Sequence, residues 1–175
     1  MLATAVTDHL FWITSRAAGI SALLAASAAV AMGLLLGGRM SRRKDLRVIH
    51  EALSLATLVA LAVHALALLG DGYLKPSLAD ISIPFLIDHK PFWTGLGIIG
   101  GWLLLLLGVS YYFRSRIGVA RWRKLHRWTA LAWVFGIVHA VMAGSDAGAA
   151  WFLVAAAMVV LPAAALLTRR MVPAT

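Results

Sequence analysis

Uncharged apolar runs alternate with short charged ones along the whole chain. Five runs, Ala17–Gly38, Ala52–Gly70, Pro91–Phe113, Trp128–Ser145 and Ala147–Thr168, contain no Asp, Glu, Lys or Arg. A hydrocarbon core of about 30 Å needs about 20 apolar residues in helical form, so each run is taken as a crossing. The pattern predicts an all-α integral membrane protein, a bundle of five transmembrane helices forming a single domain over residues 1–175. Only Asp146 separates the last two runs, so their helices are expected to form a tight antiparallel hairpin, with Pro162 kinking the fifth. The connection 71–90 is the longest and carries three aspartates, two prolines and the apolar run Ile81–Ile87. It is either a short re-entrant or interfacial segment or a plain surface loop.

Charge gives the bundle a direction. Thirteen of the sixteen Lys and Arg fall in Arg39–Arg47, Arg114–Arg127 and the tail pair Arg169 and Arg170; the other side has only Arg16, Lys75 and Lys90. Lys and Arg accumulate in cytoplasmic loops. The N-terminus is therefore expected outside, the C-terminus in the cytoplasm, and the second and fourth helices running outward. This distribution also accounts for the net charge of +9 without nucleic acid as a partner; membrane lipid is the partner it implies. The first ten residues carry no basic stretch, so no cleavable signal peptide is expected.

Composition then removes several function classes. Charged residues make up 13% of the chain, against roughly a quarter in soluble domains. No stretch outside the apolar runs reaches the size of a nucleotide-binding domain, on the order of 100 residues. Electrons for any redox chemistry would have to come from a partner or a small mobile donor. The absence of cysteine excludes disulfides, thiolate iron–sulfur ligation and covalent haem attachment.

Against this background the histidines stand out, because an ionisable group inside a membrane marks a functional site by default. His50 and His64 lie 14 residues apart, and His126 and His139 lie 13 apart. Fourteen residues at 100° return to within about 40° of the start and rise about 21 Å, so His50 and His64 share one helix face near the two edges of the hydrocarbon core. On parallel second and fourth helices, His50 faces His126 at the inner edge and His64 faces His139 at the outer edge. Each facing pair can supply both axial ligands of one haem iron, a closed arrangement suited to electron transfer rather than oxygenation. Thirteen residues of ideal helix leave His126 and His139 about 140° apart. Helix four then departs from α geometry, with Gly136 a candidate position, or its ligands reach their haems from different sides, or His126 sits just ahead of the regular helix.

The His50 to His64 and His126 to His139 spacings resemble the ferric reductase-like transmembrane domain shared by NADPH oxidases, ferric reductases and the haem subunit of the periplasmic methionine sulfoxide reductase system. The opening FWITSRAAG at Phe11–Gly19, WRKLHRW at Trp122–Trp128 and GSD at Gly144–Asp146 add to the likeness. The resemblance implies two b haems, His50 and His126 binding the inner iron and His64 and His139 the outer. It also implies a bacterial cytoplasmic membrane and a redox partner, either a flavin reductase, a periplasmic reductase or a quinol. The oxidases have six helices and a flavin and NADPH domain; the five runs here match their membrane part alone.

Haem propionates are anionic and call for basic partners. Arg47, Arg123 and Arg127 flank the inner ligands, although positive-inside topology also explains them. Arg16 lies on the outer side beside the first helix, where that rule gives no reason for it, and pairs either with an outer propionate or with water by snorkelling. Glu51 orients an imidazole or faces water. His9 and His89 read as exposed loop residues, Trp133 and Phe135 as core or lipid-facing aromatics or haem neighbours, and the glycines of the third run as close helix packing. Two other functions fit the same residues. One is an anchor or assembly subunit that binds haem only to build a larger complex; the other is a haem-free transporter with a histidine proton relay.

Overall fold

The computed structural model describes residues 2–37 and 44–171, and all the regular structure in these stretches is helical. Arg39, Arg42 and Arg43 of the first basic run lie outside the described residues. Helix α1 runs Leu2–Gly37, α2 Lys44–Leu68, α3 Leu78–Ser82 and α4 Pro91–Val109. A 3₁₀ turn, Ser110–Phe113, leads into α5 at Arg114–Ile117, and α6 (Val119–His126), α7 (Thr129–Met142) and α8 (Ala150–Met171) complete the chain.

Among the described residues, four stretches are long and apolar enough to cross a bilayer: His9–Gly37, Lys44–Leu68, Pro91–Ile117 and Ala150–Met171. The first helix begins well ahead of the apolar run, because no glycine or proline precedes Gly19 to stop it. The fourth run is where the sequence expectation departs most from the fold. Instead of a helix over Trp128–Ser145, α7 has 14 residues, about 21 Å of rise. A break at Arg127 and Trp128 separates it from α6. At the far end the chain leaves the helix at Ala143 and turns through 143–149, so Asp146 sits within a connection several residues long. Gly144 lies against the Ala140 carbonyl, where a Cβ would not fit. Pro162 lies inside the continuous α8.

Helix α1 packs on α2, α7 and α8, and α4 packs on α7 and, less extensively, on α2. Helix α2, with His50 and His64, and helix α7, with His139, thus stand across from each other with α1 and α4 on either side. Ala26, Trp133 and Ala163 form the core where α1, α7 and α8 meet. A buried indole N–H needs an acceptor; Trp133 Nε1 donates to Ser27 Oγ at 2.9 Å, and that hydroxyl donates to the Leu23 carbonyl at 2.7 Å. Trp133 is therefore a core residue between helices. Val154, Met158 and Leu161 form an exposed apolar stripe on α8, as do Leu55, Val59 and Leu66 on α2, the surface a lipid-facing helix presents.

The 71–90 connection folds back along α4. Ser77 and Asp80 form a capping box at the start of α3, and the Ser77 hydrogen bonds hold the Asp80 carboxyl below the usual carboxylate range. Trp102 Nε1 donates to the Ser82 carbonyl at 2.8 Å, the Phe85 ring covers Gly95, and Lys90 Nζ donates to the Met142 carbonyl at 2.9 Å. These contacts hold the connection against the bundle.

Candidate functional site: two facing histidine pairs

His50 and His64 project from α2, whose uninterrupted turns keep them on one face. Across the bundle, His126 ends α6 and His139 lies in the last turn of α7. The ring centres of His50 and His126 are 6.3 Å apart with planes at 89°, and those of His64 and His139 are 6.5 Å apart with planes at 68°. The alternatives for the 13-residue spacing resolve through the break after α6. Trp128 N donates to the Leu125 carbonyl and Ala130 N to the Arg127 carbonyl, three-residue bonds that overwind the chain and turn His126 toward α2. Gly136 lies within the regular helix with open space beside it.

Three of the four rings are oriented in the same way. His50 Nδ1–H donates to the Ala29 carbonyl at 2.9 Å, His64 Nδ1–H to the Ser15 carbonyl at 2.8 Å and His139 Nδ1–H to the Trp93 carbonyl at 3.1 Å. A carbonyl can only accept, so each ring carries its proton on Nδ1 and keeps a lone pair on Nε2. Ser15 reinforces the second contact, its hydroxyl lying 3.1 Å from His64 Nδ1 and donating to the His64 carbonyl at 3.1 Å. Each of these rings also packs on a glycine of a neighbouring helix. A Cβ on Gly33 would come within 3.1 Å of His50, one on Gly19 within 2.9 Å of His64 and one on Gly97 within 2.5 Å of His139. His126 differs. Its Nδ1 is buried without a hydrogen-bond partner, the Leu107 carbonyl being near but out of hydrogen-bond geometry, and its ring stacks on Trp122 at 4.9 Å and 25°.

The donor set limits what could bind. Among the described residues no group of three or more His, Cys, Asp or Glu converges, so a bare metal ion would lack ligands. Two imidazoles alone suit a metal whose remaining positions are filled by a macrocycle. The spacing agrees: two metal–nitrogen bonds of about 2 Å and about 1 Å from each ring centre to its nitrogen give roughly 6 Å. Two facing pairs at this separation fit two haem irons.

The arginines fall into two groups. Arg47, Arg123 and Arg127 are exposed at the His50–His126 end, and their side chains have no hydrogen bond or ion pair among the described residues. Arg16, next to Ser15, forms a two-pronged ion pair with the buried Asp146 and lies over Trp12 at 5.0 Å and Trp151 at 6.0 Å. This pair ties α1 to the α7–α8 connection. Removing Arg16 strands a carboxylate that is 9% exposed, whereas removing the charge of Asp146 leaves a guanidinium that is 34% exposed and can reach water. Arg16→Met is therefore expected to destabilise more than Asp146→Asn, by an amount that the partial solvation of the site keeps small. Thermal unfolding of the two variants in detergent checks the order, and equal effects would contradict it.

Glu51 is exposed, His9 lies on α1 and stacks on Trp12 at 5.6 Å, and neither His9 nor His89 joins a facing pair. The sequence reading gave no individual role to Ser15, Gly19, Gly33 or Trp122, took Gly97 as helix packing alone, and did not find the partner of Arg16. One signal was available: Gly19 and Gly33 repeat, on the antiparallel α1, the 14-residue spacing of His64 and His50. In the opening motif, Phe11 covers Gly70, Ser15 and Gly19 hold His64, and Arg16 holds Asp146.

The sequence profile described as ferric reductase like transmembrane component matches residues 18–137, a stretch that contains His50, His64 and His126 and stops two residues before His139. No curated protein and no solved structure matches the chain. With more than half its length matched, an all-helical fold and four membrane-length helices, the chain belongs to the ferric reductase-like transmembrane family.

Proposed function

We propose that the chain passes electrons across the bilayer through two b haems, one held by His50 and His126 and the other by His64 and His139. The observation that carries this is the pair of facing imidazoles at each end of α2, with separations suited to an iron between them. A b haem held there would supply an iron that takes up and gives back one electron. The chain's own residues do the rest. Carbonyls of Ala29, Ser15 and Trp93 fix three imidazoles in the ligating tautomer, and Gly33, Gly19 and Gly97 leave the space those rings occupy. Arg47, Arg123 and Arg127 are placed to meet propionates at one end. Arg16 spends two of its five donors on Asp146 and keeps three for a propionate at the other.

Topology belongs to the same proposal. The break and α7 together form a fifth crossing in a single domain over 1–175. Helices α6 and α7 together follow α4, from the Trp93 carbonyl on His139 to the Ser110 hydroxyl on Trp122 beside His126. With five crossings the termini lie on opposite sides, the N-terminus outside by the basic-residue bias, in a bacterial cytoplasmic membrane. The donor is a flavin reductase or membrane quinol reaching the His50–His126 end; the acceptor is a periplasmic redox protein, a metal ion or oxygen at the His64–His139 end. Cysteines introduced at Ser77 and Ser115 should be labelled from opposite faces of sealed vesicles, Ser77 from outside. Labelling of both from one face would contradict the crossing count.

Haem analysis of the purified chain tests the cofactor. Two b haems per chain with strongly anisotropic low-spin ferric signals, as expected of crossed imidazole planes, support the proposal. A chain without haem after expression with abundant haem supply, or with a five-coordinate high-spin iron, would contradict it.

A further inference from the structure

Three ligand candidates are oriented by a hydrogen bond from Nδ1–H and seated on a glycine; His126 has neither. Among the described residues its Nδ1 is the one buried side-chain polar atom without a partner. The loss of both features has a local cause. A carbonyl partner and a glycine seat require a neighbouring helix to run close beside the ring. Leu107 of α4 lies beside the ring, but its carbonyl already accepts from Ser110 Oγ at 2.6 Å, and beyond it α4 gives way to the 3₁₀ turn Ser110–Phe113. An indole fills the place. Trp122 lies one turn before His126 on α6, its ring 4.9 Å from the imidazole and nearly parallel to it. The indole is itself fixed, Nε1–H donating to Ser110 Oγ at 3.1 Å and its face meeting Tyr111 edge-on at 5.8 Å. Arg114 in turn lies 3.9 Å over the Tyr111 ring.

We infer that Trp122 is the positioning residue for His126, and that the two haem sites differ in electron donation because of it. The inference rests on the bis-histidine reading above. A hydrogen bond from Nδ1–H to a carbonyl makes an imidazole a stronger donor through Nε2 and favours the ferric state. Both His64 and His139 make that bond, so their site is held by two strong donors. At the other site only His50 makes it, and stacking on an indole orients His126 without enriching it. The nearby positive charges of Arg47, Arg123 and Arg127 act in the same direction, favouring the reduced state there. The His50–His126 site therefore has the higher reduction potential, and a half-reduced chain keeps its electron at that end.

Potentiometric titration of the purified two-haem protein, followed by optical and paramagnetic resonance spectra, tests this directly. The signal absent from His126→Ala should be the one that reduces first in the unaltered protein. Trp122→Leu, which removes the stacking face, should change the low-spin signature and potential of that haem alone, and Trp122→Phe, which keeps a face, should largely restore both. Equal potentials, the reverse order, or two unchanged signatures in Trp122→Leu would overturn the inference while leaving bis-histidine ligation intact. An unaltered protein without haem would overturn the reading beneath it. Should Trp122→Leu fail to accumulate, the order of reduction in the unaltered protein still decides.

Discussion

Alanine at His139 should lower the haem content of the purified chain to about half, and alanine at His64 as well should lower it no further. Residues that serve one site lose their effect together, whereas residues of separate sites add. The facing geometry makes the pairing specific: His64 stands 6.5 Å from His139, and His50 stands 6.3 Å from His126. The double variant His64→Ala with His126→Ala should therefore retain almost no haem, while His50→Ala with His126→Ala should keep the half that belongs to the other end. Haem determination on the four single and these double variants measures it. Loss of all haem from His64→Ala with His139→Ala would mean that the sites are not paired as the rings face each other.

The second large effect comes from a residue with no chemistry of its own. A Cβ on Gly97 would stand 2.5 Å from His139 Cγ, an atom at the base of the ring that cannot swing aside as the end of a flexible side chain can. Gly97→Val must therefore move the imidazole, breaking its bond to the Trp93 carbonyl. Overpacking of this kind costs about 1–3 kcal/mol, and the ligand displacement should remove most of the haem at the His64–His139 site while the other stays. Gly136→Ala is the control, since nothing lies within 4 Å of that position; it should keep both haems and gain up to about 1 kcal/mol of helix stability. Equal haem content in the two variants would show that the glycine seat does not support His139.

The paired histidines were legible in the sequence because α2 is a regular helix, and a 14-residue spacing converts to a face and a depth by arithmetic alone. Helix four was harder for the same reason: its 13-residue spacing fits no regular helix, and choosing among the three ways out needs to know where the helix breaks. Arg127 and Trp128 carry no proline or glycine to announce that break. Tertiary contact decides it, as Trp122 packs on His126 and Ser110 and Trp133 fills the core against Ser27. The carbonyls that orient the rings were beyond reach, because any residue supplies a carbonyl and only helix approach selects Ala29, Ser15 and Trp93. Arg16 was marked by its place on the sparsely charged side, but its protein partner lies 130 residues on, joined by a fold rather than by a pattern.

Electron flow across sealed vesicles is the most direct test of the central claim. With a reductant trapped at the His50–His126 face and an impermeant acceptor outside, the acceptor should be reduced only when the chain carries haem. In His50→Ala the flux should fall sharply, because the entry site is lost and the remaining histidine pair lies about 21 Å further along α2. Unchanged flux in His50→Ala, with haem content shown to be halved, would contradict the account.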